Sequence, residues 1–213
     1  MCIRDRLIMK YLDGEELTEE EIRNALRKGV IAGKIVPVLV GSALQNNSIT
    51  QLMDAFLQYL PSPKDRGQVV AKDPSGREEA VEPDETSPLT ALVFKTTADP
   101  YIGKLTYFRI FTGSISSDSS VWNANKNRAE RIGQLYRIRG KSQEPVSKLI
   151  AGEIGAVAKL SETGTGDTLT VKEHPLLLPP IQFPSPVISV AVHPKTKADL
   201  DKMSSALSRI CEE

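Results

Sequence analysis

Cysteine is nearly absent from this sequence: Cys2 and Cys211 sit at opposite ends, with none between. Two such distant thiols exclude a disulfide scaffold and a cysteine-based zinc site, and they fit a reducing cytoplasm. Histidine is equally scarce. His174 and His193 each precede a proline, with no cysteine or carboxylate at ligand spacing, so both read as structural rather than metal-binding or catalytic. No run of about 18 apolar residues occurs, which excludes a membrane-spanning helix. The opening MCIRDR is too charged for a secretory signal. It also fits poorly with the helical pattern after it, so residues 1–6 are read as non-native. Aromatics are sparse at 5%. Net charge is missing too: 27 basic and 27 acidic side chains cancel, and the total points to no partner.

The distribution of charge is more informative. Residues 101–150 hold nine Lys/Arg against three acids, Asp118, Glu130 and Glu144. Residues 61–90 run the other way, with seven acids against four bases. A basic block inside a neutral chain suits a local anionic partner, although a solvated basic face is as good a reading from charge alone. Hydrophobic residues make up 40% of the chain, enough to bury a core.

Residues 89–115 (LTALVFKTTADPYIGKLTYFRIFTGSI) predict two β-strands, 89–96 and 105–112, rich in Val, Ile, Phe, Tyr and Thr. Asp99-Pro100 and Gly103 supply the tight turn between them. In the second strand Leu105, Tyr107, Arg109 and Phe111 share one face, and Thr106, Phe108, Ile110 and Thr112 the other. Large apolar groups on both faces place it inside a closed barrel. Further strand candidates follow at 121–124, 131–139 and 154–160, with Gly113-Ser114, Gly152-Glu153 and Gly166-Asp167 as hairpin punctuation.

Before the barrel, residues 7–12 read as the end of a helix. Thr18 with Glu21 forms a capping box for a second helix, with Leu17 and Ile22 as its staple, Ile22, Ala25 and Leu26 as its buried stripe, and Gly29 as its stop. Residues 34–40 (KIVPVLV) predict a strand buried on both faces, although Pro37 argues for an edge. Gly41-Ser42-Ala43-Leu44 and a helix over 49–60 follow. Strand, small-residue loop and helix is the arrangement in which ligands sit at the strand's carboxyl end. Residues 63–86 read as a linker with one hairpin around Asp73–Gly76. A Pro-rich connector spans 175–186. Residues 187–192 (VISVAV) then predict a strand, and Leu200, Met203, Leu207 and Ile210 a helix, which together open another domain. The division is therefore 1–62, linker 63–86, barrel 87–174, connector 175–186 and 187–213.

Two apparent nucleotide motifs fail on inspection. Gly140-Lys141-Ser142 would need a glycine five positions before Gly140 to complete a phosphate loop, and Leu135 stands there. Asn125-Lys126-Asn127-Arg128 half-resembles the Asn-Lys-x-Asp guanine reader, but Arg128 cannot accept hydrogen bonds from the guanine amino edge. No triad, nucleophile elbow or paired-carboxylate pattern stands out, so no catalytic residue is assigned. Gly41-Ser42-Ala43 suits a tight turn at least as well as a ligand loop.

Several stretches carry a specific resemblance: YLDGEELTEEEIRNALRKG, AGKIVPVLVGSALQN, YLPSP, TADPYIGKLTYFRIFTGSI, AGEIGAVAKLSETGTGDTL and PVISVAVHPKTKADLDKMSSALSRICEE. In this order they resemble bacterial elongation factor G from about Leu7 onward. The resemblance implies a multidomain α/β plus all-β chain. Its parts would be the end of a P-loop GTPase domain, a translational-type β-barrel, and the first strand and helix of a ferredoxin-like α+β domain. It also implies a parent that couples GTP hydrolysis, with Mg²⁺, to ribosomal translocation in the cytoplasm as a monomer, without a membrane. Ser42 and Ala43 match the family's guanine-contacting pair, flanked by Gly41 and Leu44; there the alanine amide donates to the guanine carbonyl and the serine shapes the loop.

The barrel is expected to face small-subunit ribosomal RNA, with Arg128, Arg131, Arg137, Arg139 and Lys141 as candidates. If no bulge intervenes, alternation puts Arg131, Arg137 and Arg139 on one face. The family's phosphate loop, switch regions, Asp-x-x-Gly and Asn-Lys-x-Asp motifs lie upstream of the matched stretch. The chain by itself is therefore expected neither to hydrolyse GTP nor to bind nucleotide tightly. Residues 137–146 (RIRGKSQEPV) look more like an elongation factor G-like paralogue. Two alternatives stay open: another translational GTPase, such as a release or ribosome-protection factor, and a stand-alone RNA-binding barrel.

Overall fold

A computed structural model describes residues 3–99 and 103–212 and divides into two compact units, Met1–Gly67 and Gln68–Glu213. The turn expected at Asp99-Pro100 falls on residues 100–102 and, like Cys2, lies outside the described residues.

The first unit is helical: α1 (Ile3–Leu12), α2 (Glu19–Ile31) and α3 (Ile49–Tyr59). Helix α1 takes in residues 3–6, which the sequence pattern alone had set apart. The capping box forms as expected. Thr18 Oγ1 accepts the Glu21 N–H at 3.2 Å, and Glu21 Oε2 accepts the Thr18 N–H at 3.0 Å. Lys10 Nζ donates to the same carboxylate at 2.8 Å and ties α1 to α2. The Lys10 hydrogen bond, and then the Thr18 amide, hold the Glu21 carboxyl at about 2, below the usual 4.5. A depressed folded value stabilises above the unfolded one and is lost as pH falls through the folded one. Far-UV circular dichroism of the chain should therefore lose helix between about pH 4.5 and 2, and Glu21→Gln should remove that step. A wild-type signal that is flat over this window would refute the assignment.

Helix α2 does not stop at Gly29. It runs to Ile31, with Ala32 as its C-cap and Gly33 beyond in the left-handed region at φ 66°. Gly29 serves packing instead, because a Cβ there would lie 2.5 Å from Ile35 Cδ1. From α2, Arg27 reaches the end of α3, donating to the Gln58 carbonyl at 2.8 Å and to Asp65 at 2.6 Å.

The expected buried strand at 34–40 is not formed. The segment pairs with no strand among the described residues, and Val36, Val38 and Val40 are 83%, 87% and 88% exposed. The cause is missing neighbours: a two-sided apolar strand is stable only between other strands, and the rest of this unit is helical. For the same reason the α2 stripe is not sealed, and Leu7, Leu12, Ile22, Leu26 and Ile35 line an open apolar groove.

The second unit begins with the hairpin β1 (Val69–Lys72) and β2 (Glu78–Val81). Its turn lies where the linker reading put it: Asp73 Oδ1 accepts the Ser75 and Arg77 amides at 2.8 and 2.9 Å. Strands β3 (Thr90–Asp99), β4 (Gly103–Thr112), β5 (Ser114–Ser116) and β6 (Ser120–Asn123) follow. After them come β7 (Arg128–Arg131), β8 (Leu135–Arg139), β9 (Ser142–Val146), β10 (Lys148–Ile150), β11 (Ile154–Ala158) and β12 (Thr168–Thr170). Eight of them pair antiparallel in the order β7-β6-β12-β3-β4-β11-β8-β9, and β5 pairs with β10.

The sheet wraps one core that takes Val93 from β3, Phe108 and Ile110 from β4, Leu135 from β8, Leu149 from β10 and Val157 from β11. Alternation explains the choice, since Tyr107, Arg109 and Phe111 then face outward. A second small core outside the barrel joins Ala71 and Val81 of the hairpin to Leu176 and Leu178, with Leu92 and Phe111 packed against it. The single strand expected over 131–139 is two strands, β7 and β8, separated by residues 132–134. There the chain bends so that buried Ile132 enters the core and its amide bonds the Ser119 carbonyl at 2.8 Å.

Helix α4 (Leu200–Glu212) forms at the expected spacing. The strand expected at 187–192 does not: Val187 and Ile188 are exposed, and no partner strand exists for them among the described residues.

Candidate functional site

The loop at 41–48 is closed by its own backbone. Ser42 N–H donates to the Asn47 carbonyl at 3.1 Å, and Asn47 N–H returns to Ser42 at 2.9 Å. Asn46 and Ser48 adopt positive φ, 52° and 62°. A Cβ at residue 41 would lie 3.0 Å from the Asn47 carbonyl oxygen, a tight approach that glycine relieves. Ser42 Oγ also accepts the Gln45 amide at 3.4 Å. As a result the Ala43 and Leu44 amides point to no protein acceptor among the described residues, and Leu44 is exposed. Two unengaged donors at a loop tip just before α3 can receive a carbonyl oxygen.

The nine basic residues of 101–150 are not equivalent. Lys104 Nζ donates to the Thr163 carbonyl at 2.8 Å, and Lys126 to that of Glu162. Arg128 pairs with Glu162 at 3.2 Å, Arg137 with Glu153 at 2.6 Å and Arg139 with Glu144 at 2.7 Å. The Arg139 hydrogen bond holds the Glu144 carboxyl below its usual range. Arg131, Lys141 and Lys148 are exposed and make no ion pair among the described residues. Arg137 and Arg139 share a face of β8, whereas Arg131 ends β7 at the other extreme of the strand order. The five candidates are therefore not one row. Lys141 sits at the tip of the β8–β9 hairpin beside Gly140, and 125–128 is the β6–β7 turn.

One cluster had no sequence signal. Buried Glu130 accepts the Thr163 amide at 3.1 Å, the Thr163 hydroxyl at 2.7 Å and the Glu162 amide. Buried Asn123 donates to Thr163 Oγ1 at 3.0 Å and Asp167 Oδ2 at 2.9 Å, while its oxygen accepts the Asn125 and Lys126 amides. These contacts bind loop 161–167 to the β6–β7 hairpin. The loop and its hairpin partners lie 32 to 44 residues apart, so no local spacing reveals them. Asp73-Pro74-Ser75-Gly76 matches the letters of Asp-x-x-Gly, yet it is only the β1–β2 turn, its carboxylate engaged by Ser75 and Arg77.

Comparison with known proteins converges on one family. Residues 88–172 match elongation factor G domain 2, and residues 183–213 match elongation factor G domain III, together just over half of the chain. A crystal structure of a protein from Thermus thermophilus superposes with a TM-score of 0.74 at 30% identity. That match covers 97% of this chain and 29% of the other. The chain thus spans less than a third of the length of the protein it matches. Barrel, connector and following helix stand in the family's order, and the chain belongs to the elongation factor G family as a portion of a translation elongation factor.

Proposed function

We propose that this chain is the part of a cytoplasmic, GTP-driven ribosomal translocase, or of its close paralogue, that carries the edge of the guanine pocket and a ribosome-facing barrel. The observation that carries the reading is the domain 2 match over the barrel. In the guanine pocket, Ala43 N–H would donate to the guanine carbonyl oxygen. Gly41 would keep the backbone close, and Ser42 would shape the turn through Gln45; the unengaged Ala43 and Leu44 amides support this. Bound nucleotide would supply the phosphoryl chemistry, for which the residues present hold no phosphate cradle. Among the described residues no group of three or more His, Cys, Asp or Glu side chains gathers, and no step is routed through Mg²⁺.

On the barrel, Arg131 and Lys141 are the candidates whose charge is uncompensated, and they would meet small-subunit RNA phosphates first. Co-sedimentation of the chain with isolated small ribosomal subunits tests this. Binding is expected at about 50 mM salt, with a loss of an order of magnitude or more by about 200 mM. Arg131→Glu combined with Lys141→Glu should flatten the salt slope by about two. Binding that ignores salt, or no binding at low salt, would remove the RNA-facing assignment.

A further inference from the structure

The outward side of the barrel carries a feature that strand register alone exposes. Lys95 of β3 pairs with Tyr107 of β4, Tyr107 with Ala156 of β11, Ala156 with Tyr136 of β8, and Tyr136 with Pro145 of β9. These five residues form one row across five strands. Val93, Phe108, Gly155, Val157 and Leu135 alternate with them and turn inward, so the row lies on the outer face. Ala156 is nevertheless fully buried, as expected of a small residue between two tyrosine rings. The shift in register between Val93 and Lys95 is a bulge that leaves Phe94 without a partner. Its ring lies 6.4 Å from that of Tyr107 at a tilt of 47°. Bulges commonly re-aim side chains in this way.

In a chain with only 5% aromatics, three of them stand side by side outside the barrel core. Phe94, Tyr107 and Tyr136 are each half-buried on this face, so they cover Ala156 without being sealed into the core. Neither the Tyr107 nor the Tyr136 hydroxyl has a hydrogen-bond partner among the described residues. The charges around the row are positive. Lys95 is exposed, and Arg109, two residues along β4 from Tyr107, lies 5.6 Å from the Phe111 ring centroid; neither meets a carboxylate among the described residues. Tyr107 and Tyr136 are two strands apart, about 10 Å at the usual inter-strand spacing. Ring faces at that separation, flanked by cations without counter-charges, suit a ligand that is both anionic and planar.

We propose that this face is a stacking platform for unpaired RNA bases, with Tyr107 and Tyr136 receiving one base each and Lys95 and Arg109 meeting the phosphates. The proposal rests on the RNA-facing reading above and specifies which form of RNA the barrel takes. A sheet bearing aromatics is the usual way to hold single strands, whereas duplexes hide their base faces.

The test is fluorescence anisotropy of the whole chain at low salt, using a labelled 12-nucleotide uridine oligoribonucleotide and a 12-base-pair RNA duplex as probes. Tyr107→Leu and Tyr136→Leu keep an apolar cover over Ala156 but cannot stack. Each is expected to weaken single-strand binding about ten-fold without altering duplex binding, and Tyr136→Phe is expected to recover what Tyr136→Leu loses. Single-strand affinity unchanged by either leucine, or single-strand and duplex affinities falling in parallel, overturns the platform while leaving the wider RNA reading intact. Failure of the unaltered chain to bind either probe overturns both. Should a leucine variant lose its near-ultraviolet dichroism, photo-crosslinking of a 4-thiouridine oligonucleotide to the unaltered chain decides the matter. Adducts on Tyr107 or Tyr136 support the platform, and adducts confined to the β8–β9 tip refute it.

Discussion

Gly113→Ala is expected to destabilise the barrel by about 3–5 kcal/mol, through a steric conflict that no side-chain rearrangement can relieve. Gly113 joins β4 to β5 at φ 75°, a conformation in which L-residues are strained. A Cβ there would lie 2.6 Å from Leu89 Cα, 2.7 Å from Leu89 N and 2.8 Å from the Ser87 carbonyl oxygen. All three are backbone atoms at the entry to β3, so one strand would have to move. Movement would also disturb the Gly113 N–H bond to the Asp84 carbonyl at 2.7 Å and the Thr112 hydroxyl bond to the same oxygen at 3.0 Å. Trp122 in β6 is the chain's sole tryptophan, so its fluorescence in urea follows the barrel alone. A shift of the midpoint worth less than about 1 kcal/mol would mean that the 87–89 backbone is not where it is described.

Phe108→Ala should cost a similar amount, about 3–5 kcal/mol, for the opposite reason: it leaves space rather than removing it. The ring is fully buried at the centre of the main core. It packs beside Gly155, where a Cβ would approach Phe108 Cζ to 3.3 Å. Adding Gly155→Ala would not refill the void, because the same Cβ would meet Leu149 Cδ1 at 2.1 Å. The double variant should therefore be no more stable than Phe108→Ala, again by the urea midpoint of Trp122 fluorescence. Recovery in the double variant would show that the 149 side chain leaves more room than its position allows.

The barrel was legible in the sequence because its information is local. Strands β3 and β4 announce themselves through β-branched and aromatic residues, and the β1–β2 turn through Asp73-Pro74-Ser75-Gly76. The capping box at Thr18 and Glu21 was legible for the same reason. Long-range pairing was not legible. β9 was hidden in a stretch containing Pro145, which its position at the end of the sheet tolerates. The break at 132–134 was hidden because Ile132 continues the apolar pattern while turning inward. Residues 34–40 and 187–192 have strand composition, but composition cannot supply the neighbouring strands that would pair with them. At the candidate sites, small residues at 41–44 could be read in order, whereas the compensation of Arg128, Arg137 and Arg139 by glutamates could not. Those pairings depend on which strands become neighbours.

The hold that Glu130 and Asn123 keep on loop 161–167 has a thermodynamic corollary for recognition. Connecting segments ordinarily lose conformational freedom when a partner captures them, and that loss is subtracted from affinity. This one is anchored at residues 162, 163, 164 and 167 before any partner arrives, so its ordering entropy belongs to folding rather than to association. Whatever meets this rim of the barrel meets a loop already tied to the β6–β7 hairpin by its own hydrogen bonds.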